Sequence, residues 1–137
     1  MPDDVILGKV EIIENCLRRI GEVYAGNCAN LLEDFTKQDS ILLNLERACQ
    51  ASIDLALRII KIQGLGLPKE SREAFDILEL HGVLDSELCG ELRSMVGFRN
   101  VAVHNYRALD LKVVEKIVRE KLDVFRRLNT RALRFGA

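Results

Sequence analysis

Apolar residues recur at helical spacing along most of the chain, starting near its N-terminus. In the first segment they alternate steps of four and three, with charged residues between them: Ile6, Val10, Ile13, Leu17, Ile20 and Tyr24. This spacing places the apolar side chains on one face of an amphipathic helix. Gly26 and Asn27 follow the pattern and are residue types that commonly end helices, so the first helix is predicted to stop there.

A longer helix is predicted next, beginning at a cap formed by Asp39 and Ser40 and running to about Gln63. It stops before residues 64–68, Gly-Leu-Gly-Leu-Pro, which are typical of a loop. One apolar stripe follows its length: Leu42, Leu45, Cys49, Ile53, Ala56 and Ile60. Because further leucines and isoleucines fall outside this stripe, the pattern suits a central helix, or one that is also used in self-association.

Three more helices are predicted downstream. A short one runs from Ser71 through Leu80, a fourth begins near Ser86 behind an Asp85 cap, and the last begins behind an Asp110 cap. Their inward positions include Leu88, Leu92, Met95 and Val96, and then Leu111, Val114, Ile117, Val118, Leu122, Phe125 and Leu128. No segment alternates as a strand would. The sequence therefore predicts an all-α fold, a helical bundle of four long helices plus one short helix, as a single domain over residues 1–137.

Composition narrows the class of protein. Hydrophobic residues make up 48% of the chain and charged residues 30%, which is typical of a globular protein and not of a disordered one. No apolar run approaches a membrane span and no secretory signal is recognisable, so we expect a cytoplasmic protein without membrane contact. The four cysteines form no Cys-x2-Cys pair, which predicts inert thiols, three of them buried, and no metal site.

Charge is unevenly distributed, although the formal net charge is only −1. The segment from Arg93 to Arg134 contains 11 basic and four acidic residues. Two interpretations are open. The basic segment could bind an anionic ligand such as a phosphate backbone, or its side chains could pair with acids on neighbouring helices.

The most unusual local sequence is residues 98–106, Phe-Arg-Asn-Val-Ala-Val-His-Asn-Tyr. Arg99, Asn100, His104 and Tyr106 interrupt an otherwise apolar stretch. Polar groups at core positions cost free energy unless they are paired or used, and histidine can exchange a proton near neutral pH. The Arg-x4-His-x-Tyr spacing arises by chance roughly 0.003 times per chain of this composition. This segment is therefore the candidate active site.

Helical geometry separates the two basic groups of the segment. Residues advance about 100° per position, so Arg99 and His104 diverge by roughly 140°, whereas Asn100 and His104 share a face. Either the helix ends or bends near His104, or a second subunit completes the site, as a symmetric dimer would. On a continued helix Tyr106 would lie about 200° from His104, which predicts a hydroxyl at the rim of the site.

These residue types suit metal-independent cleavage of RNA by attack of the 2′-hydroxyl on the adjacent phosphate, with no cofactor. His104 could transfer protons, Arg99 could hold the phosphate, and Asn100 could orient the imidazole or donate to a phosphate oxygen. A purely structural alternative is also open. In it, Arg99 pairs with an acid such as Glu91 or Asp110, and His104 caps a helix C-terminus.

The same residues resemble the Arg-x4-His-x-Tyr signature of the HepT-type toxins of the HEPN superfamily, including the polar residue after the arginine. The resemblance extends to residues 35–40, 71–75 and 95–100, and so covers nearly the whole chain. It implies a HEPN-like ribonuclease that dimerises through its motif-bearing helices and cleaves RNA, with tRNA as one candidate. It also implies that the catalytic residues are Arg99, Asn100 and His104, and that Asp39 is an accessory acid near the site.

The resemblance also implies a partner protein. Such toxins form type VII-like toxin–antitoxin pairs, in which an MNT-type nucleotidyltransferase antitoxin transfers AMP from ATP onto the tyrosine of the motif, here Tyr106. A second hypothesis is a catalytically inert HEPN module that serves as a binding partner or substrate of a nucleotidyltransferase. The complete set of Arg99, Asn100 and His104 favours the ribonuclease, because an adaptor would not need all three.

Overall fold

The ends of the first helix follow from the residues that flank it. In the computed structural model, which describes residues 3–136, helix α1 spans Asp4–Tyr24. Asp3 precedes it in an extended conformation, and its side chain accepts a hydrogen bond from the Ile6 N–H at 3.0 Å. The helix ends where Ala25 adopts a left-handed conformation with φ of 49°, just before the predicted stop.

Further helices follow α1, and the last three segments are continuous with one another. They are α2 (Ala29–Leu32), α3 (Phe35–Gln63), α4 (Ser71–Leu80), α5 (Ser86–His104), a 3₁₀ turn (Tyr106–Ala108), α6 (Leu111–Lys116), a π-helical segment (Ile117–Lys121) and α7 (Leu122–Gly136). None of residues 3–136 forms a β-strand, and no helix among them is long and apolar enough to cross a membrane. The predicted all-α bundle is confirmed, with α1, α3, α5 and the combined last helix as its long members and α4 as the short one.

Helix α3 lies at the centre of the bundle. It packs along α1 and also contacts α4, α5 and α7. Its predicted stripe is buried throughout, and Ile41 and Ile59 outside that stripe are fully buried as well. Phe75 from α4 and Phe125 from α7 complete the same core. Because α3 has neighbours on several sides, its apolar surface is wider than one stripe, as the sequence predicts for a central helix.

The start of α3 differs from the prediction. The helix begins at Phe35 and is capped by Asp34, whose side chain accepts a hydrogen bond from the Lys37 N–H at 3.0 Å. The predicted cap at Asp39 and Ser40 is therefore wrong, because the helix begins five residues earlier, where the Asp34 side chain caps it. Asp39 lies within the helix and is exposed.

The last helix and α2 also depart from the predicted pattern. The sequence does not predict α2, because four residues are too few to show a helical period. In the last helix, the π-helical segment widens one turn and changes which positions face the core. Leu122, which directly follows this segment and is predicted to be buried, is therefore only half-buried, whereas Val124 is buried. Leu111, also predicted to be buried, is half-buried at the first position of α6.

Candidate active site

Helix α5 carries the candidate motif in its C-terminal portion, as predicted. Asp85 caps the start of the helix by accepting a hydrogen bond from the Leu88 N–H at 2.8 Å. The predicted inward residues are all buried against the bundle: Leu88, Leu92, Met95 and Val96. Because this face is packed into the core, the direction in which each motif residue leaves the helix is fixed.

Arg99 extends from α5 towards α3. Burial raises the pKa of the Cys49 thiol on α3, and the nearby Arg99 charge opposes that rise. The Arg99 side chain is half-buried, and its Nε atom is buried without a hydrogen-bond partner among the described residues. Its Nη1 donates to Asn100 Oδ1 at 3.4 Å. An arginine with unused, partly desolvated donors is suited to binding an anion.

Arg99 does not pair with Glu91 or Asp110, so this part of the purely structural alternative is wrong. Glu91 pairs with Lys121 in the π-helical segment, with Oε1 and Nζ 3.0 Å apart. Asp110 caps α6 and accepts a hydrogen bond from the Lys112 N–H at 2.9 Å. Both acids therefore have other structural roles.

His104 is the last residue of α5 and is exposed. The chain leaves the helix at Asn105, so the expectation that the helix ends near His104 is confirmed. This end does not bring His104 to Arg99, because both residues are still helical and lie roughly 140° apart around the axis. Asn100, one turn before His104 on the same face, is exposed too.

Tyr106 lies in the 3₁₀ turn just after α5, with 50% of its surface exposed. Its hydroxyl donates to Asp39 Oδ1 on α3 over 3.5 Å, so the structure brings these two candidate residues together. Partial burial raises the pKa of Tyr106, and the charge and hydrogen bond of Asp39 raise it further. The angle of about 200° between Tyr106 and His104 holds only for a continued helix, and α5 ends at His104. The phenol is exposed, as predicted.

A cavity of about 270 Å³, the Tyr106 pocket, lies between α3 and the end of α5. Its wall is formed by Asp39, Leu42, Leu43, Glu46, Ala102 and Tyr106. The two carboxylates, those of Asp39 and Glu46, lie two helical turns apart and share one face of α3. Glu46 does not stand out in the sequence, where its only signal is this spacing from Asp39.

A larger groove of about 460 Å³ lies on a different side of α5 and includes none of the four motif residues. Its apolar wall comes mainly from α5, α6 and the turn between them: Met95, Phe98, Val101, Leu109, Val113 and Ile117. The sequence does not predict this groove, because it depends on how α6 packs against α5.

Part of the positive charge of the C-terminal segment is neutralised between helices. The ion pairs join Arg93 to Asp76 and Glu79, Arg119 to Glu115 and Glu120, Lys121 to Glu91, and Arg127 to Asp85 and Glu87. For Arg93, Lys121 and Arg127, whose partners lie on another helix or at its cap, the helix-pairing interpretation is confirmed. Arg119 instead pairs within its own helix. Arg99 and Arg107, which lie in or beside the motif, form no ion pair among the described residues.

Potential metal ligands and cysteines were compared throughout residues 3–136. Within residues 3–136, no group of three or more His, Cys, Asp or Glu side chains could hold a metal ion. Cys16, Cys49 and Cys89 are buried free thiols, as predicted, and Cys28 is exposed.

A helical bundle that carries Arg-x4-His-x-Tyr at the end of one core helix defines a HEPN-type protein. Comparison with known families gives the narrower assignment. The family model described as ribonuclease HepT-like matches residues 13–131, and the chain belongs to this family.

Individual relatives are similar over nearly their full lengths. The mRNA nuclease HepT of Shewanella oneidensis (strain MR-1) is 42% identical over 123 residues, which are 90% of this chain and 92% of that protein. The tri-AMPylated HEPN toxin of Shewanella oneidensis, solved in complex with MNT antitoxin, gives a TM-score of 0.89 at 40% identity and covers 94% of this chain and 96% of that one. A toxin–antitoxin crystal structure with AMP-PNP gives a TM-score of 0.89 at 38% identity, covering 95% and 98%.

Proposed function

We propose that this chain is a metal-independent endoribonuclease toxin that cleaves RNA at a site containing Arg99, Asn100 and His104. The observation that carries the proposal is the partly buried Arg99 guanidinium near the end of the helix that carries an exposed histidine. Its Nε has no hydrogen-bond partner within residues 3–136. The family relationship supports RNA as the substrate, because one relative is the mRNA nuclease HepT. Messenger RNA and tRNA are the two substrates to compare.

The residues provide the chemistry that RNA cleavage needs. His104 accepts the proton of the 2′-hydroxyl, whose oxygen bonds to the adjacent phosphorus while the bond to the 5′-oxygen breaks. Arg99 binds two phosphate oxygens and stabilises the charge that develops on them. Asn100 orients the imidazole from one turn away, and Asp39 is an accessory acid at the edge of the site. The products are a 2′,3′-cyclic phosphate and a 5′-hydroxyl, which receives its proton from an imidazolium.

The active form in this proposal is a homodimer. Arg99 and His104 leave one helix in different directions, so a second copy is needed to bring an arginine and a histidine to the same phosphate. Val101 and Val103, which lie between the motif residues in sequence, are 38% and 40% exposed, and a second copy that packs against α5 would cover part of this apolar area.

The proposed partner is an MNT-type nucleotidyltransferase antitoxin that transfers AMP from ATP to Tyr106. The exposed phenol at the end of α5 supports this, and so does the relative whose structure is that of a tri-AMPylated toxin with MNT antitoxin. A phosphodiester and a nucleoside at Tyr106 would compete with RNA phosphate for Arg99 by charge and by volume. Modification would therefore stop cleavage without unfolding the protein.

The reaction class is tested by incubating the purified protein with total RNA and with tRNA in EDTA. We expect cleavage to persist in EDTA and to leave 2′,3′-cyclic phosphate ends. A single 2′-deoxy substitution at the cleaved position should block the reaction, because it removes the attacking oxygen. Loss of cleavage in EDTA, or cleavage of the deoxy substrate, would contradict the mechanism. No cleavage of any RNA would favour the inert module instead.

A further inference from the structure

The contact between Tyr106 and Asp39 has a chemical consequence for modification of the tyrosine. The Tyr106 hydroxyl donates to Asp39 Oδ1 over 3.5 Å, and both side chains are exposed. Among the described residues, Asp39 is the one hydrogen-bond partner of this hydroxyl. The carboxylate therefore lies where a proton acceptor for the phenol would be needed.

A tyrosine that attacks ATP must lose its hydroxyl proton during the reaction. The pKa of Tyr106 is raised by partial burial and by Asp39, so the tyrosinate form is scarce near neutral pH. Attack therefore starts from the neutral phenol, whose acidity increases as its oxygen bonds to phosphorus. A carboxylate next to that oxygen can then take the proton, as the aspartate of a protein kinase takes the proton of its substrate hydroxyl.

We propose that Asp39 is the general base for AMPylation of Tyr106, so that the toxin itself contributes a catalytic residue to its own inactivation. The Tyr106 oxygen bonds to the α-phosphorus of ATP, the bond from that phosphorus to the bridging oxygen breaks, and pyrophosphate leaves. The hydroxyl proton passes to Asp39 Oδ1 and then to water. This inference rests on the proposed function, in which Tyr106 is the residue that receives AMP.

The geometry distinguishes Asp39 from the other acid nearby. Glu46 lines the same Tyr106 pocket but makes no hydrogen bond to the Tyr106 hydroxyl among the described residues. A distance of 3.5 Å is long for an O–H···O hydrogen bond, and such contacts tighten when the reacting partner binds. The two acids therefore offer a matched comparison, since each contributes one negative charge to the pocket and only one can accept the proton.

The test measures AMP transfer to purified full-length toxin by intact mass, with an active MNT-type nucleotidyltransferase and saturating ATP. Varying the toxin concentration separates kcat from KM for the toxin as substrate. Asp39→Asn keeps the size of the side chain but cannot accept the proton, so kcat should fall roughly 100-fold or more with little change in KM. Asp39→Glu should recover part of the rate, and Glu46→Gln should react like the parent protein.

The outcomes separate this inference from the proposed function. If the parent gains AMP and Asp39→Asn gains it at the same kcat, Asp39 is not the base and only this inference fails. Equal slowing by Asp39→Asn and Glu46→Gln would also overturn it, because that result indicates a general charge effect. If the parent gains no AMP at all, the proposed modification of Tyr106 fails as well.

Discussion

The two tyrosines of this chain have opposite environments. Tyr24 ends the buried face of α1, and its hydroxyl donates to Glu115 Oε1 at 2.9 Å. Tyr106 is half exposed and sits at the rim of a pocket. A modifying enzyme can reach Tyr106 in the folded protein, whereas it could reach Tyr24 only if the bundle unfolded. Tyr106 is therefore the target in the experiment below, and Tyr24 is its control.

Tyr106→Phe should keep ribonuclease activity and escape neutralisation by the nucleotidyltransferase. The phenol takes no part in the proposed proton transfers of RNA cleavage, but it is the proposed acceptor of AMP. Intact mass spectrometry after incubation with the partner and ATP measures the modification. AMP-sized additions should appear on the parent and on Tyr24→Phe, and should be absent from Tyr106→Phe. Additions that persist on Tyr106→Phe would show that another group carries the AMP.

At the level of helices, α1 is held to α3 by an ion pair at its first turn. Asp3 accepts a hydrogen bond from Arg58, with Oδ2 and Nη2 2.7 Å apart, and also caps α1. The Arg58 hydrogen bond, followed by the Ile6 N–H, lowers the pKa of Asp3 below its ordinary value of 3.8. A lowered folded-state pKa stabilises the protein above the unfolded value, and this stabilisation is lost as the pH falls through the folded value.

Asp3→Asn should therefore lower the melting temperature at neutral pH, because asparagine can cap the helix but cannot form the ion pair. The difference from the parent should shrink as the pH falls below about 4. Thermal melts over a pH series measure this. The control is Asp4→Asn, because Asp4 is a neighbouring exposed acid that forms no ion pair among the described residues. An Asp3→Asn difference that does not depend on pH would contradict the electrostatic explanation.

The helices were largely predictable because their signals are local. Asp85 and Asp110 cap the predicted helices, and the apolar periods correctly identify most of the buried residues. The start of α3 was not predicted correctly, because an aspartate can occur inside a helix as well as at its cap, and the folded backbone places the cap at Asp34 and not at Asp39. The π-helical segment has no local sequence signal of its own, since it depends on packing.

The site was predictable only as a set of residue types. Arg99, Asn100, His104 and Tyr106 stand out because they are polar residues in an apolar stretch. The Asp39–Tyr106 contact spans 67 positions, and the contribution of Glu46 to the same pocket depends on the packing of α3 against α5. Such long-range contacts form only when the helices pack together. The spacing of residues along the sequence does not predict which pairs of residues will meet.

For the whole molecule, the central expectation is a shared site between two copies. If one phosphate needs Arg99 from one subunit and His104 from the other, a mixed dimer of Arg99→Ala and His104→Ala subunits has one intact site. After subunit exchange, an equal mixture should recover up to about a quarter of the parent rate, because half of the dimers are mixed and one of their two sites works. Cleavage rates of the mixture and of each variant alone measure this.

Two results would contradict the shared site. One is the absence of recovery in a mixture that demonstrably contains mixed dimers, for example by native mass spectrometry with one tagged subunit. The other is full activity in a protein that light scattering shows to be monomeric at micromolar concentration.

The chain contains two histidines at helix ends, and comparing them tests the central claim most directly. His104 ends α5 within the motif, and His81 follows α4 away from it, and both are exposed. RNA cleavage in EDTA should fall roughly 100-fold or more in His104→Ala and stay near the parent rate in His81→Ala, with unchanged melting in both. If His104→Ala cleaves RNA as fast as the parent protein, the proposed site is wrong.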